Sequence, residues 1–271
     1  LVLMPEGHDA ATDLATEHFV TELWNLGLTV GSVVRTPREM REEAKGDISV
    51  ATAFLEARFL FGNRALFDEV NSAFLKELDA RAFFRSKMLE MRQRHLRSED
   101  SPYALEPNIK ESPGGLRDLQ VFLWCAKAAG WGANWRQLAA AGLITETESY
   151  HLGQCQHFLN ALRIRLHLLA NRHEDRLATA QLRPSEALMK RYYLNAKNTV
   201  QLNAVLLQAI SDKLFDRGEM KAVAIDSVFT ARGIYLDIVS EDAFYGDPRN
   251  ILKAFYVYAQ HRELRAMSTR L

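Results

Sequence analysis

Residues 145–169 read Thr145-Glu-Thr-Glu148-Ser-Tyr-His-Leu152-Gly-Gln-Cys155-Gln-His-Phe-Leu159-Asn-Ala-Leu162-Arg-Ile-Arg-Leu166-His-Leu-Leu169. The apolar positions 152, 155, 159, 162, 166 and 169 step alternately by three and four, as in a helix that lays one seam against a partner helix. Thr145 with Glu148 three residues later forms a capping box that starts it. Met189, Tyr193, Ala196, Val200, Asn203, Leu207 and Ile210 repeat the same rhythm. With a further helix expected over residues 116–129, the pattern predicts a helical bundle.

Upstream of the bundle the pattern is mixed. Leu1-Val2-Leu3-Met4 reads as a buried strand, and a chain that starts inside a core strand is expected to lack an upstream part. A helix is expected over residues 12–26 with Gly27 as its stop, then a strand over residues 28–34. Thr36-Pro37-Arg38-Glu39 combines a cap, a first-turn proline and a capping-box glutamate. Gly46 ends that helix, and Asp47 can cap a short one through Ala53. Residues 54–61, Phe-Leu-Glu-Ala-Arg-Phe-Leu-Phe, are read as a strand from their aromatic content. Helices are expected over residues 65–78 and 81–97, and an irregular, proline-containing stretch over 98–113. Near the end, residues 222–226 and 234–239 alternate like strands around an Arg232-Gly233 turn, and Asp247-Pro248 starts a last helix. The expected class is α+β, predominantly α-helical.

The chain has 271 residues, 48% hydrophobic and 25% charged, with 34 basic and 34 acidic side chains. That apolar content supplies a core and excludes wholesale disorder. Zero net charge and the lack of an aromatic-basic track argue against a nucleic-acid partner, since phosphate affinity comes from excess Lys and Arg. The apolar runs fall short of the ~18–20 residues that span a bilayer, so no membrane association is expected. Cys125 and Cys155 give neither a disulfide framework nor metal-ligand spacing. The opening residues lack a signal-peptide pattern. Together these features point to a cytoplasmic protein.

The stretch richest in chemistry is Tyr103-Ala-Leu-Glu-Pro-Asn-Ile-Lys110-Glu-Ser-Pro-Gly114-Gly115-Leu-Arg117-Asp118-Leu119. Its Ser-Pro-Gly-Gly turn delivers the chain to a helix N-terminus, where free N–H groups and the dipole favour an anion. Lys110 and Arg117 could add side-chain contacts to a phosphate. Asp118 is placed to pair with Arg117 or Lys110 and hold the loop in shape. From spacing alone an ordinary Pro-Gly turn with a surface ion pair is the favoured reading, because helix-opening Gly turns are common. Arg81, Arg85, Lys87, Arg92, Arg94 and Arg97 make the preceding helix basic, which suits either a phosphate site or a solvated face. Consecutive His173-Glu174-Asp175 point in different directions on a helix and read as a salt-bridged helix end rather than a metal site, and His8-Asp9 lacks further ligands. On the expected strand, Glu56 and Arg58 share a face, and spacing leaves open whether Glu56 pairs with a basic group or binds Mg²⁺.

Residues 105–119 resemble the bifunctional PII uridylyltransferase/uridylyl-removing enzymes of bacterial nitrogen control. The resemblance extends through Gly142-Leu-Ile-Thr145, residues 162–169 and Arg172-His-Glu-Asp-Arg-Leu177. Upstream it includes residues 23–31, Val34-Arg-Thr36 and Leu55-Glu-Ala-Arg-Phe-Leu60. The Pro-Gly-Gly-Leu-Arg-Asp block is shared with the glutamine-synthetase adenylyltransferases, the ATP-using sibling alternative. A non-catalytic module that docks PII is a further alternative.

The resemblance implies the C-terminal part of a polymerase-beta-like nucleotidyltransferase domain over residues 1–80 and a helical domain over 81–215. An α/β segment over 216–271 would lead toward an absent His-Asp phosphohydrolase domain. It implies transfer of UMP from UTP to a tyrosine of PII, with Mg²⁺ as cofactor and glutamine as an effector acting through absent C-terminal modules. Glu56 becomes the third metal carboxylate, with Arg58 two residues on. The Lys110 to Asp118 loop would face the nucleotide, with Lys110, Gly114, Gly115 and Arg117 as nucleotide-binding residues, or bind the two domains together, and Asp118 and Arg58 support the loop. The Asp-x-Asp pair that precedes such a strand is not in the sequence, so the chain alone is expected not to transfer or remove UMP. Ser32-Val33 stands where the family has His-Ser, and residues 177–188 and the approach to Ala222 look shortened.

Overall fold

The computed structural model describes residues 1–28, 30–97, 103–177, 185–215, 222–240, 242–264 and 266–268. The shortened stretch before Leu188 and the approach to Ala222 therefore lie largely outside the described residues. The chain divides into two compact units, Leu1–Gln93 with Leu123–Ala133, and Arg94–Phe122 with Asn134–Leu271.

In the first unit, β1 (Val2–Leu3) pairs in parallel with β2 (Val34–Arg35), Val2 opposite Val34. Helix α1 (Ala10–Asn25) connects them, capped by Asp9 on the Thr12 amide. Gly27 stops it, with a φ of 74° that a side chain would resist. The expected strand over 28–34 is confined to its end, because only Val34 and Arg35 find a ladder partner among the described residues. Helix α2 (Pro37–Gly46) starts on the Thr36/Glu39 capping box. Asp47 caps α3 (Ile48–Leu55) through the Ser49 amide.

The strand expected over 54–61 is a correction. Once Asp47 launches the helix, Ala51, Phe54 and Leu55 share its buried face. Phe54 packs edge-on against Phe74, with ring centroids 4.8 Å apart. After Leu55 the chain is irregular and leaves Phe61 exposed. Aromatic content favours a strand only where a neighbouring ladder accepts it. Helices α4 (Arg64–Glu77) and α5 (Ala80–Arg97) follow as expected. Helix α6 (Leu116–Ala128) carries apolar groups all round and is buried accordingly.

In the second unit, α7 (Trp135–Ala140) precedes α8 (Glu146–Ala170), whose capping box forms as expected. Leu152, Cys155, Leu159, Leu162 and Leu166 are buried, whereas Leu169 is exposed. Helix α9 (Glu186–Leu214) buries Tyr192, Ala196, Thr199, Asn203, Leu206, Leu207 and Ile210. Its seam is rotated from the expected one: Tyr192 replaces Tyr193 and Thr199 replaces Val200 in the interior. The Tyr193 hydroxyl instead donates to the Ala104 carbonyl at 3.0 Å.

A four-stranded sheet closes the unit in the order β3 (Ala222–Ala224), β4 (Phe229–Arg232), β5 (Tyr235–Ile238), β6 (Ala266–Met267). β4 is a strand that the sequence reading missed, and the turn sits at Gly233-Ile234, one residue later than expected. After the short α10 (Ala243–Gly246), helix α11 (Asn250–Gln260) packs Ala254 and Val257 with Phe229, Leu236 and Ile238. Among the described residues no helix is long and apolar enough to cross a membrane.

Candidate functional site

The loop before α6 is built from both sides within the second unit. The Asn108 side chain accepts from the Lys110 and Glu111 amides at 3.0 and 2.8 Å, an Asx turn that curls the chain. The Ser112 hydroxyl accepts from the Asn108 amide at 3.0 Å. The segment after α8 then clamps it: the Ile109 amide donates to the Asp175 carbonyl and the Leu177 amide to the Pro107 carbonyl, at 2.8 and 2.9 Å. Ile109 is fully buried there.

Gly114 has a φ of 78°, and a Cβ on it would lie 2.7 Å from Cα of Ala196 on α9. A Cβ on Gly115 would lie 2.8 Å from the Lys110 carbonyl oxygen. Both glycines are therefore required by close backbone approach rather than by turn-making alone.

The amides expected to be free for an anion are used within the loop. Gly115 donates to Ser112, Leu116 to Ile109, Arg117 to Lys110 and Asp118 to Gly115, all between 2.8 and 3.1 Å. The Gly114 amide donates to Oδ2 of Asp118 at 2.8 Å. The helix N-terminus is thus occupied by the protein's own carbonyls and one carboxylate, and residues 112–116 are buried.

Asp118 is 1% exposed and is the hub of the site. Its Oδ1 accepts from Arg94 and lies 2.8 Å from Nε2 of His95. The pairing expected with Arg117 or Lys110 is replaced by this one. Those two cations share Glu111 instead, Lys110 at 3.4 Å and Arg117 at 3.3 Å. Arg117 also donates to Gln120 at 3.1 Å. Arg94 faces Glu111 at 3.8 Å, and its Nε is buried without a hydrogen-bond partner. The hydroxyl of Tyr192 is likewise buried and unpartnered, and burial foremost pushes its pKa up. The loop therefore presents two half-exposed cations held by one carboxylate, mounted on a buried Asp–Arg–His pin.

Below the loop, Asp175 accepts from Arg163 at 2.6 Å and lies 3.0 Å from Nε2 of His167. Burial works to raise this carboxyl, but the hydrogen bonds from Arg163 and His167 outweigh it and hold its pKa below the ordinary value. The reading of residues 171–176 as a salt-bridged helix end is what the structure has.

Glu56 and Arg58 belong to the first unit, at and after the end of α3, and do not share a strand face. Oε1 of Glu56 accepts from the Trp124 indole at 2.8 Å. Lys127 donates to the carbonyl of Leu55 beside it. Arg58 is exposed in the irregular segment. On α5, Lys87 is buried between the rings of Phe83 and Trp124 and pairs with Glu90 at 2.5 Å, so part of the basic helix faces inward. Among the described residues no three His, Cys, Asp or Glu side chains are arranged to hold a metal ion.

Sequence reasoning missed the roles of His95, Asn108 and Glu111. Asn108 carried a local signal, an Asx residue two before Lys110. Glu111 is flanked by the loop it neutralises. The 23-residue separation of His95 and Asp118 left nothing local to read.

Residues 82–207 match a family model described as GlnD PII-uridylyltransferase. The whole chain is 48% identical to the bifunctional uridylyltransferase/uridylyl-removing enzyme of Bordetella avium over 285 residues, 33% of that protein. The enzyme of the same name from Bordetella parapertussis is 48% identical over the same share. That of Burkholderia orbicola is 45% identical over 287 residues, again with the whole chain and 33% of the relative. The chain thus spans about a third of the length of the curated relatives it matches. No solved structure matches it.

Proposed function

We propose that the chain is a member of the GlnD PII-uridylyltransferase family, which it resembles over residues 82–207 and in its curated relatives, and that it forms part of an enzyme that transfers UMP from UTP to a tyrosine of the PII nitrogen-regulatory protein. In that reaction the tyrosine oxygen attacks the α-phosphorus, the bond to the β-phosphate breaks, diphosphate leaves, and the hydroxyl proton passes to a base. The observation that carries the proposal is 48% identity across the whole chain to enzymes of that name.

Lys110 and Arg117 are the proposed phosphate contacts, acting through their side chains because the amides around Gly114 and Gly115 are already bonded. Glu111 is their counter-ion at rest, and a triphosphate would compete with it for both cations. Asp118 acts by positioning the loop. Mg²⁺ remains proposed for the complete enzyme, with Glu56 as its candidate contact. The residues present do not make a Mg²⁺ site by themselves: one carboxylate engaged by Trp124 falls short of the oxygen ligands this ion demands. The proposed organisation keeps a nucleotidyltransferase part before a helical part, and a cytoplasmic setting suits the two free, buried cysteines.

The test is a calorimetric titration of the chain with UTP, with and without Mg²⁺, and with ATP as control. Saturable binding that favours UTP and weakens by about tenfold or more in Arg117→Gln supports the reading. UTP binding unchanged in both Lys110→Gln and Arg117→Gln removes the loop from it, and preference for ATP assigns the chain to the adenylyl-transferring alternative.

A further inference from the structure

A groove of about 220 Å³ lies between α8 and α9, remote in sequence from the loop and lined by Gln154, His157, Phe158, Leu162, Arg165 and Arg191 among others. Positions 154, 158, 162 and 165 step by three and four, so α8 contributes one continuous face. Leu188 and Arg191, three apart, contribute the facing edge of α9.

The charge around it is one-sided. No Asp or Glu occurs between Glu148 and Glu174 on the α8 side, or between Glu186 and Asp212 on α9, while Arg163, Arg165, Lys190, Arg191 and Lys197 do. Arg163 is committed to Asp175. Arg165 and Arg191 have no carboxylate partner among the described residues, in a chain whose total charge is zero. The guanidinium of Arg191 instead sits 4.6 Å from the centroid of the Phe158 ring. A cation–π contact of this kind uses the ring face and leaves the N–H donors available.

We propose that this groove is a binding site for a small dianion, a phosphate monoester or a dicarboxylate, gripped by Arg165 and Arg191 over an apolar floor of Phe158 and Leu162. Two guanidinium forks offer paired donors to either anion. A groove of about 220 Å³ accommodates a phosphate or a short dicarboxylate. The site does not depend on the uridylyltransferase reading, because neither Lys110 nor Arg117 lines it.

The experiment measures thermal unfolding of the full chain at constant ionic strength, with increasing inorganic phosphate or succinate and with sodium chloride as reference. A bound anion raises the unfolding temperature in a saturable way. The expected result is protection beyond chloride by at least one of the two probes, and the better probe identifies the source. Because Lys110 and Arg117 are themselves proposed phosphate contacts, the comparison is made in the Lys110→Gln/Arg117→Gln background, where Arg165→Gln and Arg191→Gln, both exposed positions, should each weaken that protection by about tenfold. Absence of protection beyond chloride, or protection that survives Arg165→Gln/Arg191→Gln, overturns the proposal.

Discussion

Replacing Asp118 by Asn tests the pin on which the loop is mounted. The substitution keeps shape and the oxygen that accepts from Gly114, and replaces the charged Oδ1 acceptor facing Arg94 and His95 by an NH2 donor. In the native structure the carboxylate side chain is 1% exposed and that of Arg94 14% exposed, so neither charge is well solvated. Removing one partner of such a pair leaves the other charge uncompensated, which costs about 3–5 kcal/mol. Arg94 retains some water and has Glu111 at 3.8 Å, so the lower end, about 3 kcal/mol, is expected for Asp118→Asn. At about 2–4 °C per kcal/mol the Tm should fall by roughly 6–12 °C. Urea unfolding followed by circular dichroism, with the m-value held in common, gives the free energy. The decisive comparison adds Arg94→Gln alone and with Asp118→Asn. Removing both charges should recover part of the loss, giving a coupling of about 2 kcal/mol or more. A coupling below about 0.5 kcal/mol would refute the hub and return Asp118 to a surface pair.

Gly114→Ala should destabilise by more than about 3 kcal/mol or prevent folding, since the new methyl meets the Ala196 backbone at a positive φ; a wild-type melting curve would show that α9 does not pack there. Leu162→Ala, deleting a buried seam residue of α8, should cost about 2–5 kcal/mol in urea unfolding. Cys125 is buried and its thiol is pushed up to about 12 by burial, so in the native chain at pH 8 it should resist alkylation and react only after denaturation; rapid native labelling would contradict its environment. The pKa of Asp175 is held below 3.8 in the fold, so its contribution is complete above that value and is lost as pH falls through it toward the native pKa. Urea midpoints of the chain and of Asp175→Asn should therefore converge on acidification below about pH 4, and a constant gap would mean that Asp175 does not titrate against its partners.

Local chemistry carried most of the helical architecture into the sequence. The boxes at Thr36 and Thr145 and the cap at Asp47 all form as their side chains predict. These signals are legible because cap and amide lie within three residues of each other. The failures share the opposite property. Residues 54–61 have strand-like composition, yet whether they extend as a strand depends on a neighbouring ladder that composition does not encode. Tyr192 is buried while the Tyr193 hydroxyl reaches Ala104, 89 residues away, a contact no local pattern encodes. β4 was hidden because its pairing with β3 and β5 is set by register, not by alternation within four residues.

The same distinction governs the site. The sequence marked Lys110, Gly114, Gly115, Arg117 and Asp118 as a unit, and the structure brings them together in one turn whose glycines and Asp118 are buried. What it could not encode locally is who neutralises whom. Read along the chain, Asp118 belongs to Arg117; in space it belongs to Arg94 and His95. This exchange changes the chemistry available to the loop. If Asp118 had paired with Arg117, the Gly114 amide would lose its carboxylate partner and Arg117 would be quenched. With Asp118 turned inward onto Gly114 and α5, the last of the loop amides is closed, and Lys110 and Arg117 stand at the half-exposed edge sharing Glu111. A phosphate at this loop would thus meet side-chain cations rather than a backbone cradle. Its affinity should consequently fall steeply with salt and respond to Lys110 and Arg117 far more than to the glycines, whose role is to let the turn pass against Ala196 and Lys110.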